Sequence, residues 1–103
     1  MTDDNIMIIK GYVNDVRVNR TSIDLKLSIY DGKNEEGKAK YVPCNARVLA
    51  RKEEPLMVID KGDKVRLIGK FNKFQTKEAN WYERCEAWQE DVKVISHSNG
   101  GGR

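Results

Sequence analysis

Apolar and polar side chains alternate strictly between residues 22 and 30, and this pattern is the strongest constraint on the fold. The apolar positions are Ile23, Leu25, Leu27 and Ile29. A period of two residues places successive side chains on opposite faces of a β-strand, whereas a helix needs a period near 3.6. The segment therefore predicts a strand with one face in a core and the other in solvent.

Similar patterns predict β-strands along most of the chain. The five predicted strands cover residues 6–18, 22–30, 41–48, 64–71 and 81–95. The polar, glycine-containing segment 31–38 and the polar segment 75–80 are predicted to be hairpin loops, because such residues favour turns.

Residues 52–60 interrupt the β pattern. Leu56 and Ile59 are spaced to share one face of a helix, and Pro55 is tolerated in a first helical turn, so we predict a short helix there. An all-β chain of five strands with a short helix between strands 3 and 4 has the element order of a five-stranded OB-fold barrel. A β-sandwich and an SH3-like barrel are the alternatives.

The chain of 103 residues has the length of a single domain. We expect a folded OB-fold domain over residues 1–96 and a disordered glycine-rich tail over residues 97–103, since the tail has nothing to bury. The acidic residues near the N-terminus do not resemble a secretory signal. The longest apolar run, residues 6–9, is much shorter than a membrane-spanning helix.

The sequence lacks the residues that most enzymes and metal sites need. It has one histidine, His97, in the predicted tail, and two cysteines, Cys44 and Cys85, which are expected to be free thiols or, alternatively, a disulfide. This set does not supply a zinc site or a histidine-based triad, and no phosphate-binding glycine motif is present. We therefore expect a protein that is not an enzyme and has no cofactor or metal.

Aromatic and basic residues are interleaved at positions that the alternation directs outward. The candidate nucleic-acid-binding residues are Lys26, Tyr30, Tyr41, Arg47, Arg66, Lys70, Lys73, Phe74 and Trp88. Aromatic faces stack on bases, and nearby cations contact phosphates, which favours a single-stranded nucleic acid as partner. For Phe74 and Trp88, a place in the core or in a subunit contact is the alternative. The net charge of +3 is compatible with a polyanionic partner.

The first strand begins with four apolar residues, and these cannot all face one core. Met7 and Ile9 are expected to point inward, which leaves Ile6 and Ile8 outside. An exposed pair of β-branched residues on a strand predicts a contact between subunits, so we expect a dimer or tetramer. Cover by another part of the same subunit is the alternative.

Three segments resemble the bacterial and phage single-stranded DNA-binding proteins. They are NIMIIKGYVND at residues 5–15, YVPCNA at residues 41–46 and KGDKVRLIGKF at residues 61–71, in the same order and spacing as in the family. The resemblance implies an OB-fold that binds single-stranded DNA largely without sequence preference, in replication, recombination or repair. It also implies base stacking by Tyr41 and pairing of subunits through the first strand.

The resemblance further implies a cytoplasmic, nucleoid-associated protein of a bacterium or phage-infected cell, with replication proteins as further partners and no membrane association. The sequence departs from the family at Arg47, where an aromatic residue is common, and near Phe74, where Thr76 lies closer to the family's aromatic position. A protein-interaction module with an OB-fold, such as an accessory subunit of a primosome, is the second hypothesis.

Overall fold

The computed structural model describes residues 6–97, without the side chains of Phe74 and Trp81. The described part contains six strands: β1 (Ile6–Val18), β2 (Ser22–Lys33), β3 (Ala39–Leu49), β4 (Lys64–Gln75), β5 (Trp81–Trp88) and β6 (Val92–Ser96). The prediction of an all-β protein is confirmed. Residues 1–5 of the predicted domain and residues 98–103 of the predicted tail lie outside the described residues.

Five of the strands close into a ring. The order β1-β2-β3-β5-β4 returns to β1, because β1 pairs with β2 along its second half and with β4 along its first half. All these pairings are antiparallel except β3 with β5, which is parallel. The sixth strand pairs with β4. A closed ring leaves few free strand edges in so small a sheet.

The inward side chains of the ring form one apolar core together with Ile59, from the segment before β4, and Val92 of β6. Its buried members are Ile9, Val13, Ile23, Leu25, Leu27, Ala46, Val48, Ile59, Val65, Leu67, Cys85, Ala87 and Val92. Within β2, β3 and the first part of β4 they follow the predicted period of two. Met7 was expected in this core, but 38% of its surface remains exposed, because the described strands cover it only in part at the start of β1.

A β-bulge in β1 changes which residues face inward. Val13 pairs with Leu27 and Asp15 pairs with Lys26, so Asn14 is an extra residue in β1. The extra residue shifts the alternation by one position. Val16 therefore packs against the core, and Arg17 points outward.

The predicted helix over residues 52–60 is wrong. Residues 54–60 have no regular secondary structure and follow a turn that includes Glu53, whose φ is +66°. The side-chain amide of Gln89 forms hydrogen bonds with two backbone groups of this segment. Its Nε2 donates to the carbonyl of Pro55, and its Oε1 accepts from the N–H of Met57, both at 2.8 Å. Extended backbone held in this way still buries Ile59 and packs Leu56 on the core.

The predicted fifth strand is two strands. β5 ends at Trp88, a 3-10 turn covers Gln89–Asp91, and β6 then pairs with β4 rather than continuing along β3. The buried positions change from odd numbers, Cys85 and Ala87, to an even number, Val92. One continuous strand could not bury all three on the same face, so this change was a readable sign of the break.

Both cysteines are free, and Cys85 is fully buried whereas Cys44 is half-buried. Burial raises the pKa of the Cys85 thiol to about 11 and also raises the pKa of Cys44. The disulfide alternative is therefore wrong. No helix in residues 6–97 has the length and apolarity to cross a membrane.

A test of ring closure is the substitution Gly69→Ala. A Cβ atom at Gly69 would collide with the carbonyl oxygen of Glu86 on β5. We expect a loss of about 1–3 kcal/mol or more in the free energy of unfolding, measured by urea denaturation. Gly32→Ala is the control, since it meets no atom within 4 Å and adds only the strain of a φ of +86°. Equal losses in the two variants would show that β4 and β5 have room to separate.

Candidate nucleic-acid interface

The outward side chains of β2 and β3 form a continuous surface, here called the β2–β3 face. Its cross-strand pairs are Asp24 with Arg47, Lys26 with Asn45, Ser28 with Pro43, and Tyr30 with Tyr41. At about 3.3 Å per residue, the face extends roughly 20 Å along β2. Four of the predicted binding residues, Lys26, Tyr30, Tyr41 and Arg47, lie on it.

One end of the β2–β3 face is aromatic. The rings of Tyr30 and Tyr41 meet edge to face, with centroids 5.8 Å apart and planes at 69°. About half of each side chain is exposed. Because an edge-to-face pair leaves ring faces open to solvent, these tyrosines can stack against a planar group.

The other end is a basic groove of about 450 Å³, here called the arginine groove. Its basic and aromatic lining residues are Arg17, Lys26, Arg47, Tyr82 and Arg84, with Thr76 from the loop between β4 and β5. Asp15 and Asp24 also line it. The groove therefore contains four cations against two carboxylates and favours an anionic ligand.

Asp24 holds Arg47 in place within this groove. The Arg47 guanidinium donates to the two carboxylate oxygens of Asp24 at 2.7 and 3.2 Å, and Asn19 donates to Asp24 at 3.0 Å. These hydrogen bonds, those from Arg47 first, lower the pKa of Asp24, and the same pair raises the pKa of Arg47. An incoming phosphate must therefore compete with Asp24 for the guanidinium.

Arg84 and Lys73 are also close to carboxylates. Arg84 donates to Glu86 at 2.6 Å, and the Lys73 ammonium lies 3.7 Å from Glu83. Lys73 lines a cleft of about 400 Å³ together with Tyr82 and with Pro43 and Asn45 of the β2–β3 face. The surface charge near the groove is thus partly neutralised within the protein.

Three predicted residues lie away from the β2–β3 face. Arg66 is on β4, where its strand partners are Lys10 of β1 and Lys93 of β6. Lys70 and Trp88 line a separate groove of about 300 Å³ whose apolar members include Ile6, Leu49 and Ile68. The guanidinium of Arg51 covers the Trp88 ring, 4.2 Å from its centroid. The side chain of Phe74 lies outside the described residues.

Sequence reasoning did not include Arg17, Tyr82 and Arg84 among the site residues. Arg17 is turned outward by the bulge at Asn14. The change of the apolar positions from odd numbers, Ile9 and Val13, to an even number, Val16, was a readable sign of this bulge. Tyr82 and Arg84 share the parity opposite to the buried Cys85, so the alternation of β5 could have placed them outside.

The fold is similar to that of solved single-stranded DNA-binding proteins. The "Plasmodium falciparum SSB complex with ssDNA" superposes with a TM-score of 0.60 at 14% identity, covering 89% of this chain and 93% of that one. The wild-type single-stranded DNA-binding protein of Thermus aquaticus also gives a TM-score of 0.60, at 20% identity and 89% coverage of this chain. The chain has the fold of these proteins.

This chain spans about half the length of the Thermus protein, since the superposition covers 50% of it. No protein-family model matches the sequence. No curated protein matches it either. Similarity at 14–20% identity establishes the shared fold.

The Asp24–Arg47 pair predicts a pH-dependent contribution to stability. Because the folded-state pKa of Asp24 is lowered, the contribution is present above the unfolded pKa and disappears as the pH falls through the folded value. Relative to Asp24→Asn, the wild type should be more stable by up to about 1 kcal/mol near neutral pH, because the pair is part-exposed. The two proteins should be equally stable near pH 2, measured by urea denaturation. A difference that is the same at both pH values would contradict this assignment.

Proposed function

We propose that the protein binds single-stranded DNA largely without sequence preference. The observation that carries the proposal is the β2–β3 face, where exposed tyrosines at one end and a basic groove at the other lie along one surface. In OB-folds, the face of strands 2 and 3 and the loops between strands 1 and 2 and between strands 4 and 5 bind oligonucleotides. A five-stranded closed ring with the fold of single-stranded DNA-binding proteins supports an OB-fold barrel here.

Binding on this face requires no chemical step. Bases stack on the ring faces of Tyr30 and Tyr41, while Lys26 and the arginine groove contact the phosphates. The protein then protects single strands during replication, recombination or repair, in the cytoplasm and at the nucleoid of a bacterium or phage-infected cell. Replication proteins are the partners that this role implies. The second hypothesis, a protein-interaction module, is not favoured, because the solved proteins that share this fold are single-stranded DNA-binding proteins.

The proposal is tested by Tyr41→Ala and Tyr41→Phe, with affinity for oligo-dT measured by fluorescence titration. Tyr41→Ala should weaken binding by about 1–3 kcal/mol, because one stacking face is lost. Tyr41→Phe keeps the ring and should bind like the wild type. Both variants should remain folded, since Tyr41 lies on the outer surface. Wild-type affinity in Tyr41→Ala would exclude Tyr41 from the binding site, and failure of the wild type to bind would overturn the proposed function.

We also propose that the protein forms a homodimer or homotetramer through β1. Ile6 and Ile8 are 51% and 67% exposed, and Ile8 lies directly opposite Ile68 of β4. β2 pairs with β1 only from Tyr12 onward, so among the described strands the edge of residues 6–11 that faces away from β4 has no partner. An apolar strand with a free edge is suited to pairing with a second copy.

Light scattering tests this assembly with Ile8→Glu and the control Val18→Glu. Both side chains are on β1 and both are 67% exposed, but Val18 lies at the opposite end of the strand, where β2 pairs with it. Ile8→Glu should yield monomers, since a buried unpaired charge opposes association, whereas Val18→Glu should not. A wild-type mass near 11.8 kDa at micromolar concentration would overturn the proposed assembly and leave DNA binding unaffected.

A further inference from the structure

A second cleft lies beside the aromatic end of the β2–β3 face, on the side of β1. It has a volume of about 460 Å³ and is lined by Lys10, Gly11, Tyr12, Ser28, Ile29, Tyr30, Tyr41 and Lys64. We call it the tyrosine cleft. It shares Tyr30 and Tyr41 with the β2–β3 face, so a ligand on one surface can pass directly to the other. Its volume is in the range of sites that hold small ligands.

The tyrosine cleft differs from the arginine groove in its charge. Its lining contains two lysines and no carboxylate, whereas Asp15 and Asp24 line the arginine groove. The nearby carboxylate of Asp31 is held by Lys40 at 3.3 Å. An anionic group that enters the cleft therefore meets Lys10 and Lys64 without competition from a lining carboxylate.

Tyr12 provides a third aromatic surface in this cleft. It lies on β1 opposite Ser28 of β2 and Lys64 of β4, and it is partly exposed. The Lys64 ammonium is 5.4 Å from the centre of the Tyr12 ring. Ser28, which lies opposite Tyr12 on β2, has a small side chain, and the cleft is open between Tyr12 and Tyr30.

We propose that the tyrosine cleft binds a further nucleotide of the same single strand, with its base stacked on Tyr12 and its phosphate beside Lys64 and Lys10. This inference rests on the proposed function, because it extends the strand that the β2–β3 face holds. The strand passes Tyr30 and Tyr41 and continues toward β1. The site thus includes Tyr12 and Lys64, neither of which sequence reasoning selected.

The position of the cleft beyond Tyr30 predicts a dependence on strand length. An oligonucleotide just long enough to cover the β2–β3 face does not reach Tyr12, whereas a longer one does. Tyr12→Ala should therefore leave the affinity for the shortest dT oligomer that binds unchanged within about twofold. It should weaken binding of the longest oligomers about five- to 150-fold, the range expected for one lost stacking contact. Tyr12→Phe, which keeps the ring, is the matched control.

Lys64→Met tests the same cleft without altering the aromatic surface. It should weaken the binding of only the longer oligomers. It should also make the negative slope of log K against log salt less steep by about 0.7, the value for one phosphate on a single strand. Lys93→Met is the control, because Lys93 is exposed on β6 and outside the cleft. Circular dichroism checks that each variant is folded.

Photo-crosslinking of a long oligomer containing 5-iododeoxyuridine gives an independent readout on the wild-type protein. We expect cross-links at Tyr12 in addition to Tyr30 or Tyr41.

If the wild type binds no oligomer, the proposed function fails, and this inference fails with it. If Tyr41→Ala weakens binding, but Tyr12→Ala and Lys64→Met match the wild type at every length and Tyr12 does not cross-link, the proposed function stands and the tyrosine cleft is not part of the site. Pairing of a second copy along residues 6–11 would also give that result, since Lys10 and Gly11 line the cleft, and the monomeric Ile8→Glu variant distinguishes the two cases.

Discussion

The structure depends on the double pairing of the first strand. β1 is 13 residues long and pairs with β4 along residues 6–12 and with β2 along residues 12–18. The two pairings use opposite edges and successive halves of β1, and the bulge at Asn14 bends the strand just after the point where one pairing gives way to the other. The turn before β4 is fixed at the same point: the N–H of Val13 donates to the carbonyl of Asp63, and the N–H of Gly62 donates to the carbonyl of Val13. The closure of the ring, the bend in β1 and the turn before β4 therefore all lie near residues 12–14.

The same bend arranges the tyrosine cleft and the arginine groove. Before the bulge, β1 directs Tyr12 into the tyrosine cleft, and after it β1 directs Arg17 into the arginine groove. β2 runs between these two positions and contributes Tyr30 to one and Lys26 to the other. Since Asp24 holds Arg47, the arginine groove is positioned before any ligand arrives, and exchange of a carboxylate for a phosphate reduces the net gain in electrostatic energy.

Sequence reasoning succeeded where a residue's position depends on its own strand. The faces of Lys26, Tyr30, Tyr41 and Arg47 follow from alternation alone, and the structure agrees with them. Sequence reasoning failed where residues distant in the sequence contribute to the conformation. The non-helical backbone at Pro55 and Met57 is hydrogen-bonded to the side chain of Gln89, which is more than 30 positions away in the sequence. The separation of Trp88 and Arg66 from the β2–β3 face likewise follows from ring closure, which no local pattern encodes.

The pairing of β1 with β4 also affects how the chain emerges during synthesis. The strand partners of Ile6 and Ile8 are Lys70 and Ile68, about 60 residues later in the sequence. At typical rates of translation of 5–20 residues per second, the apolar start of β1 is synthesised roughly 3–12 s before the part of β4 that pairs with it. During that interval it is an unpaired, uncharged β-type segment, the kind of sequence that associates with other nascent chains. The acidic residues Asp3 and Asp4 before it, and Lys10 after it, place charges on both sides of the segment and oppose such association.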